Sequence, residues 1–184
     1  REGGALHERD RMTLVAITGT PGTGKTSVSA ELRSRGYNVI DMNEHIRSHG
    51  LLGELDAARD THEVDLDLLN DSLQRYRDTE DLYLMDSHLS HFMDCREIIV
   101  LRCNPSVLAE RLEARGYGPE KVRENVQSEI LDVILCEATD SDIPVYEVDC
   151  SEGDPSSSAD AVEQIVKGEF SDYLPGRTDW SEEM

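Results

Sequence analysis

Residues 13–26 read T-L-V-A-I-T-G-T-P-G-T-G-K-T, and this stretch decides the fold. Its first part, Thr13 to Thr18, is short, apolar and β-branched, the composition of a buried strand. Its second part, Gly19 to Thr26, satisfies G-x-x-x-x-G-K-[ST] without exception. Beyond it, Thr26 to Arg35 places Val28 and Leu32 four apart on one helical face, and Gly36 stops that helix. Strand, glycine loop and helix in this order make a phosphate cradle. Glycines let backbone N–H groups approach phosphate oxygens at positive φ, and the helix N-terminus adds partial positive charge facing the same anion. Lys25 is expected to reach the β- and γ-phosphates of a nucleoside triphosphate, and the Thr26 hydroxyl to face Mg²⁺.

Working outward, further strands are predicted at Tyr37 to Asp41, Leu82 to Asp86, Glu97 to Leu101 and Val145 to Val148. Residues 43–80 look helical and polar, with Leu66, Leu69 and Leu73 at helical spacing. Asn104 caps a helix with Pro105 at its first position, and Gly116-Tyr117-Gly118-Pro119 breaks it. Glu120 to Glu137 reads as one helix, with Val122, Val126, Ile130 and Ile134 at i+4 steps. A loop from Glu152 to Ser158 precedes a closing helix from Ala159 to Phe170. Five short apolar strands alternating with helices imply an α/β domain, a parallel sheet flanked by helices on both faces. Residues 1–11 are expected to be a disordered extension, with Met12 as a natural start. The domain is expected over 12–174 and a loose tail over 175–184.

Asp86 ends an apolar strand expected beside the first one, where an acid can hold Mg²⁺; an Asp that only starts a turn is the alternative. His88 follows two residues later, placed to orient a water or touch the γ-phosphate. His91 is expected to be structural or exposed. Arg111 and Arg115 lie four apart before a glycine hinge and suit a lid that brings positive charge to a moving phosphoryl group. Solvated arginines matching Glu110 and Glu113 are the plainer alternative. Arg47 sits in the helix after the second strand, where the phosphate of a second substrate would bind.

There are 39 acidic and 18 basic residues, a net charge of −21. Such a surface repels nucleic acid and anionic membrane. No apolar run approaches the roughly 18 residues of a membrane span, no secretory leader is evident, and a cytoplasmic setting is expected. The acids are spread along the chain and only Lys25, Lys121 and Lys167 are lysine, which resembles salt-adapted archaeal proteins. Cys95, Cys103, Cys136 and Cys150 have no zinc-site spacing and are expected to be reduced.

The P-loop run, D-x-H at Asp86 to His88, E-R-L-E-A-R-G-Y at Glu110 to Tyr117 and K-V-x-E-N-V-Q-x-E-I at Lys121 to Ile130 are similar to the small atypical adenylate kinases of the coilin-interacting nuclear ATPase type and their archaeal counterparts. Leu89 stands where the eukaryotic members resemble D-x-H-G. The resemblance covers most of residues 12–150. It implies a nucleoside monophosphate kinase fold, with a monophosphate-binding insertion near 42–65 that includes Arg47 and a lid near 114–124. It implies that Gly22, Gly24, Lys25, Thr26 and Ser27 hold ATP phosphates and that Arg115 contacts ATP from the lid. The implied activities are ATP + AMP ⇌ 2 ADP with slower ATP hydrolysis. The implied task is small-subunit rRNA maturation with a basic ribosomal protein as partner. Two other readings are an ATPase assembly switch with incidental kinase activity and a shikimate-type small-molecule kinase, against which the lid block argues.

Overall fold

A computed structural model describes residues 13–56 and 61–181. The expected extension over residues 1–11, part of the 42–65 insertion and the last three residues of the tail lie outside them. Strand β1 (Leu14–Thr18) is buried at every position and leads into α1 (Lys25–Ser34). Alternation along β1 builds the two cores. Leu14 and Ala16 point to one face with Met85 and Ile98, while Val15 and Ile17 point to the other with Leu84 and Ile99. Near-continuous apolar strands are what a sheet covered on both faces requires.

Strands β2 (Asn38–Asp41), β5 (Tyr83–Asp86), β6 (Glu97–Arg102) and β7 (Val145–Asp149) complete a five-stranded sheet. Its order is β2-β5-β1-β6-β7 and every pairing is parallel. Ile17 and Asp41 both pair with Asp86, so the C-terminal ends of β1, β2 and β5 are level. That end is where open α/β sheets hold ligands. One face is covered by α1 and α8 (Pro155–Val166), through Val28, Leu32, Ala159, Val162 and Ile165. The other is covered by α2 (Met42–Ser48), α3 (Leu66–Ser72) and α7 (Val133–Thr139), through Met42, Ile46, Leu69, Leu135 and Ala138. Arg35, following α1, donates to Asp160 at 2.6 Å, Glu163 at 3.2 Å and the Ser156 carbonyl at 3.0 Å, joining the two helices of the first face.

Three expectations change. Residues 43–80 are not continuously helical. After α2 come β3 (Leu52–Asp56) and β4 (Thr61–Val64), an antiparallel ribbon, then α3 and the single turn α4 (Gln74–Arg77). Leu52 and Leu55 pair with Val64 and His62 with a register shift between them, so no regular alternation marks the ribbon in the sequence. Gly53 permits the close approach, since a Cβ there would lie 2.9 Å from the Glu63 carbonyl oxygen. The helix expected over 120–137 is two helices, α6 (Pro119–Ile130) and α7. Between them Asp132 adopts φ 53 and its carboxylate receives Arg102. The closing helix begins at Pro155 rather than Ala159, because the Asp154 carboxylate accepts from the Ser156 and Ser157 amides at 3.1 and 3.2 Å. Asn104 and Pro105 open α5 (Pro105–Ala114) as expected.

Candidate active site

The loop between β1 and α1 turns on its glycines. Gly22 and Gly24 have φ of 98 and 115. A Cβ on Gly22 would lie 2.7 Å from the Leu108 methyl of α5, and one on Gly19 would collide with the Leu101 carbonyl oxygen. The loop is therefore wedged between β6 and α5, with its open side facing a cleft of about 340 Å³. Gly22, Gly24, Lys25 and Thr26 line the cleft together with Asp86, His88 and Arg115.

Lys25 donates to the carbonyls of Gly19 at 2.6 Å and Thr20 at 3.1 Å. Burial lowers its pKa from 10.5 to about 8, and the Asp86 carboxylate pulls the other way. Burial likewise pushes the Asp86 carboxyl above the usual carboxylate range. His88 is drawn down to about 4 by desolvation in the cleft and then by the charge on Lys25. At neutral pH it is an uncharged imidazole, able to accept a proton. His91 is buried and structural. Its Nδ1 lies 2.9 Å from the Thr18 hydroxyl and its Nε2 lies 3.2 Å from Glu137.

The two arginines expected to serve a lid part company. Arg115 lines the phosphate cleft. Arg111 turns behind the loop and donates to the carbonyls of Thr23 (3.3 Å), Cys150 (2.8 Å) and Ser151 (3.1 Å). It braces the P-loop against the end of β7 instead of pointing at the cleft. Neither arginine pairs with Glu110 or Glu113 among the described contacts. Ser27, Arg111 and Arg115 border a smaller hollow of about 130 Å³ with Gly153 and Asp154. Arg47 is exposed and pairs with Glu44 at 3.2 Å, away from both cavities.

Asp41, Asn43, Ser87, Tyr117 and Lys121 line the cleft and escaped the sequence reading as site residues. Asp41 lies beside Asp86 through the parallel register, which residue spacing cannot reveal. Tyr117 enters from the link between α5 and α6 and Lys121 from the start of α6, with the Lys121 ammonium 5.2 Å from the Tyr117 ring centre. The scarcity of lysine carried the missing signal, since two of the three lysines in a strongly acidic chain face this cleft. Cys95, Cys103 and Cys150 are buried thiols and Cys136 is exposed; all four are free.

A phosphate loop at the C-terminal end of a five-stranded parallel sheet, faced by an acid and overhung by cations, defines a P-loop kinase. The AAA domain family matches residues 15–132. A Methanocaldococcus jannaschii protein named "Putative adenylate kinase" is 41% identical over 169 residues, spanning 91% of this chain and 93% of its own. Proteins of the same name from Archaeoglobus fulgidus and Natronomonas pharaonis are 42% and 41% identical, spanning 93% and 92% of this chain and 93% and 99% of theirs. Among solved structures, a shikimate kinase from Bacteroides thetaiotaomicron superposes with TM-score 0.57 at 18% identity, over 85% of this chain and 99% of its own. A deoxyadenosine kinase from M. mycoides gives 0.56 at 16%, over 84% and 99%. These two show the shared fold. The chain belongs to the AAA-domain P-loop family and, within it, to the archaeal family that carries that adenylate kinase name. Among the described residues no helix is long and apolar enough to cross a membrane.

Proposed function

We propose that the chain transfers the γ-phosphoryl group of ATP to AMP, giving two ADP, with slower hydrolysis of ATP as a side activity. The observation that carries this is the composition of the cleft. Lys25, Arg115 and Lys121 line one cleft of about 340 Å³, so three cations converge on a space that a phosphoryl group could occupy. The acceptor is a phosphate oxygen, anionic at neutral pH, so no strong base is needed. It forms a bond to the γ-phosphorus as the bond to the ADP oxygen breaks. Lys25 and Arg115 offset the charge on the moving group, and Arg111 serves by fixing the Thr23 carbonyl and with it the loop. Gly22, Gly24, Thr26 and Ser27 hold the donor's phosphates.

Asp86, Asp41 and the exposed Thr26 hydroxyl form an all-oxygen donor set suited to Mg²⁺. No group of three or more His, Cys, Asp or Glu gathers for a metal among the described residues. Mg²⁺ held by that oxygen set would supply positive charge against the phosphates.

Residues 42–65 are proposed to take the monophosphate, with Arg47 swinging from Glu44 to its phosphate, and residues 114–124 to close as the lid. The sequence resemblance further supports the coilin-interacting nuclear ATPase type, a role in small-subunit rRNA maturation and a basic ribosomal protein as partner for the acidic surface. The spread of acidic residues and the scarcity of lysine support a salt-adapted enzyme, which we assign to the cytoplasm. The test is ATP turnover in high KCl with Mg²⁺, with and without AMP, following ADP and free phosphate separately. ADP formation that depends on AMP without phosphate release establishes the kinase. Phosphate release indifferent to AMP establishes the second reading, an ATPase assembly switch, which the outward pairing of Arg47 favours.

Hydrolysis differs because a water must lose a proton, and His88, which lines the cleft as a neutral imidazole, is the residue we propose to take it. His88→Ala is expected to lower phosphate release about 10²-fold while AMP-dependent ADP formation changes by less than about threefold. Equal losses in the two assays would remove His88 from that role.

A further inference from the structure

The α6 helix starts beside the lid, where Lys121 faces the cleft, and ends under the P-loop, where Glu129 is 3% exposed. A buried carboxylate costs several kcal/mol unless donors surround it. Glu129 has them. Its Oε2 accepts from the Thr20 hydroxyl at 2.6 Å, and its Oε1 accepts from Arg102 Nε at 2.8 Å and the Cys103 amide at 3.1 Å. Thr20 then passes the constraint on. Its carbonyl accepts from the Thr23 amide at 3.2 Å, the Thr23 hydroxyl at 2.9 Å and Lys25 Nζ at 3.1 Å. One carboxylate thus sets the residue whose carbonyl holds both the turn of the phosphate loop and the resting ammonium.

We propose that Glu129 is a positioning residue of the phosphate site, acting through Thr20 on Lys25. Because it closes a rigid helix that begins at the lid, it also ties the setting of the loop to the segment carrying Arg115 and Lys121. Apolar packing alone would be served by an aliphatic side chain of similar volume, whereas a directed bond to Thr20 needs an acceptor. The turnover arm of the test rests on the phosphoryl-transfer reading above. The binding arm does not, since it needs only a P-loop that holds ADP.

The experiment uses the full chain carrying Thr20→Val, which keeps shape and removes the hydroxyl, beside Thr20→Ser, which restores it. Glu129→Asp keeps the charge against Arg102 but retracts it by one methylene, and gives an independent route if the valine variant does not fold. Thr20→Val and Glu129→Asp are expected to weaken Mg·ADP binding in calorimetry about tenfold, the cost of leaving a buried polar group unpaired. The same variants lower kcat with the KM for AMP unchanged, and Thr20→Ser returns both quantities to wild type. Wild-type ADP affinity and kcat in Thr20→Val and Glu129→Asp would overturn the proposal, as would a serine variant as impaired as the valine one. If the wild type forms no ADP from AMP, the acceptor assignment alone falls, and the ADP affinities still decide the role of Glu129.

Discussion

Replacing Lys25 with Met is expected to lower phosphoryl transfer about 10³-fold and to weaken triphosphate binding, because a positioned cation at the moving phosphoryl group contributes most where water is excluded. The fold should hold. The ammonium's partners in the structure are two backbone carbonyls of its own loop, and its burial works against its charge. A pH dependence follows with a definite sign. In the free protein the pKa of Lys25 is lowered to about 8, so above that pH the side chain sheds its proton before nucleotide arrives. Phosphates bind the charged form, and ATP affinity therefore falls as pH rises past about 8, approaching tenfold per unit. The Met variant should lose that slope. ATP titrations between pH 6 and 10 on both proteins check this. An unchanged slope in the variant would assign the dependence to another group.

Arg102→Met should be the most damaging substitution to stability. The guanidinium is fully buried and donates to Glu129 at 2.8 Å, Glu147 at 2.9 Å and Asp132. Its removal strands two carboxylates that are themselves nearly inaccessible, and breaking a buried ion network in this way costs about 3–5 kcal/mol. For a chain of this size that corresponds to a fall in Tm of about 10 °C. Denaturant melts of wild type and variant measure the difference. A change below about 1 kcal/mol would mean that the two acids find water when the arginine goes.

The five-strand parallel sheet was legible because β1, β5 and β6 are dense apolar runs, and the phosphate loop because its glycines and Lys25 are chemically irreplaceable. The ribbon at β3 and β4 was not legible. It is a two-stranded element outside the main sheet, its register shifts between Leu52 and Leu55, and its polar residues outnumber the apolar ones. The break at Asp132 was hidden for a different reason. The i+4 series from Val122 to Ile130 runs into Ile134 without a gap, and only the pull of Arg102, thirty residues earlier, bends the chain there. The site divides the same way. Lys25, Thr26, Asp86 and His88 sit next to strong local signals. Asp41, Glu129 and Arg102 reach the loop through strand register and long-range pairing, which no spacing encodes. Arg111 and Arg115 look equivalent on one helix, yet a single helical turn sends one behind the loop and the other over the cleft.

The bracket that Arg35 forms with α8 bears on where this protein can be cut. The family signature ends at residue 132. However, the strand that closes the sheet edge and the helix that seals one core face, β7 and α8, both come later. A fragment stopping at the signature would leave Val28, Leu32, Ile99 and Leu101 facing water along an open sheet edge, a template for association between copies. The recognisable sequence and the smallest autonomous folding unit therefore have different C-terminal boundaries. Any excised or transplanted version of this phosphate site has to carry the chain through Val166 to keep that core face covered.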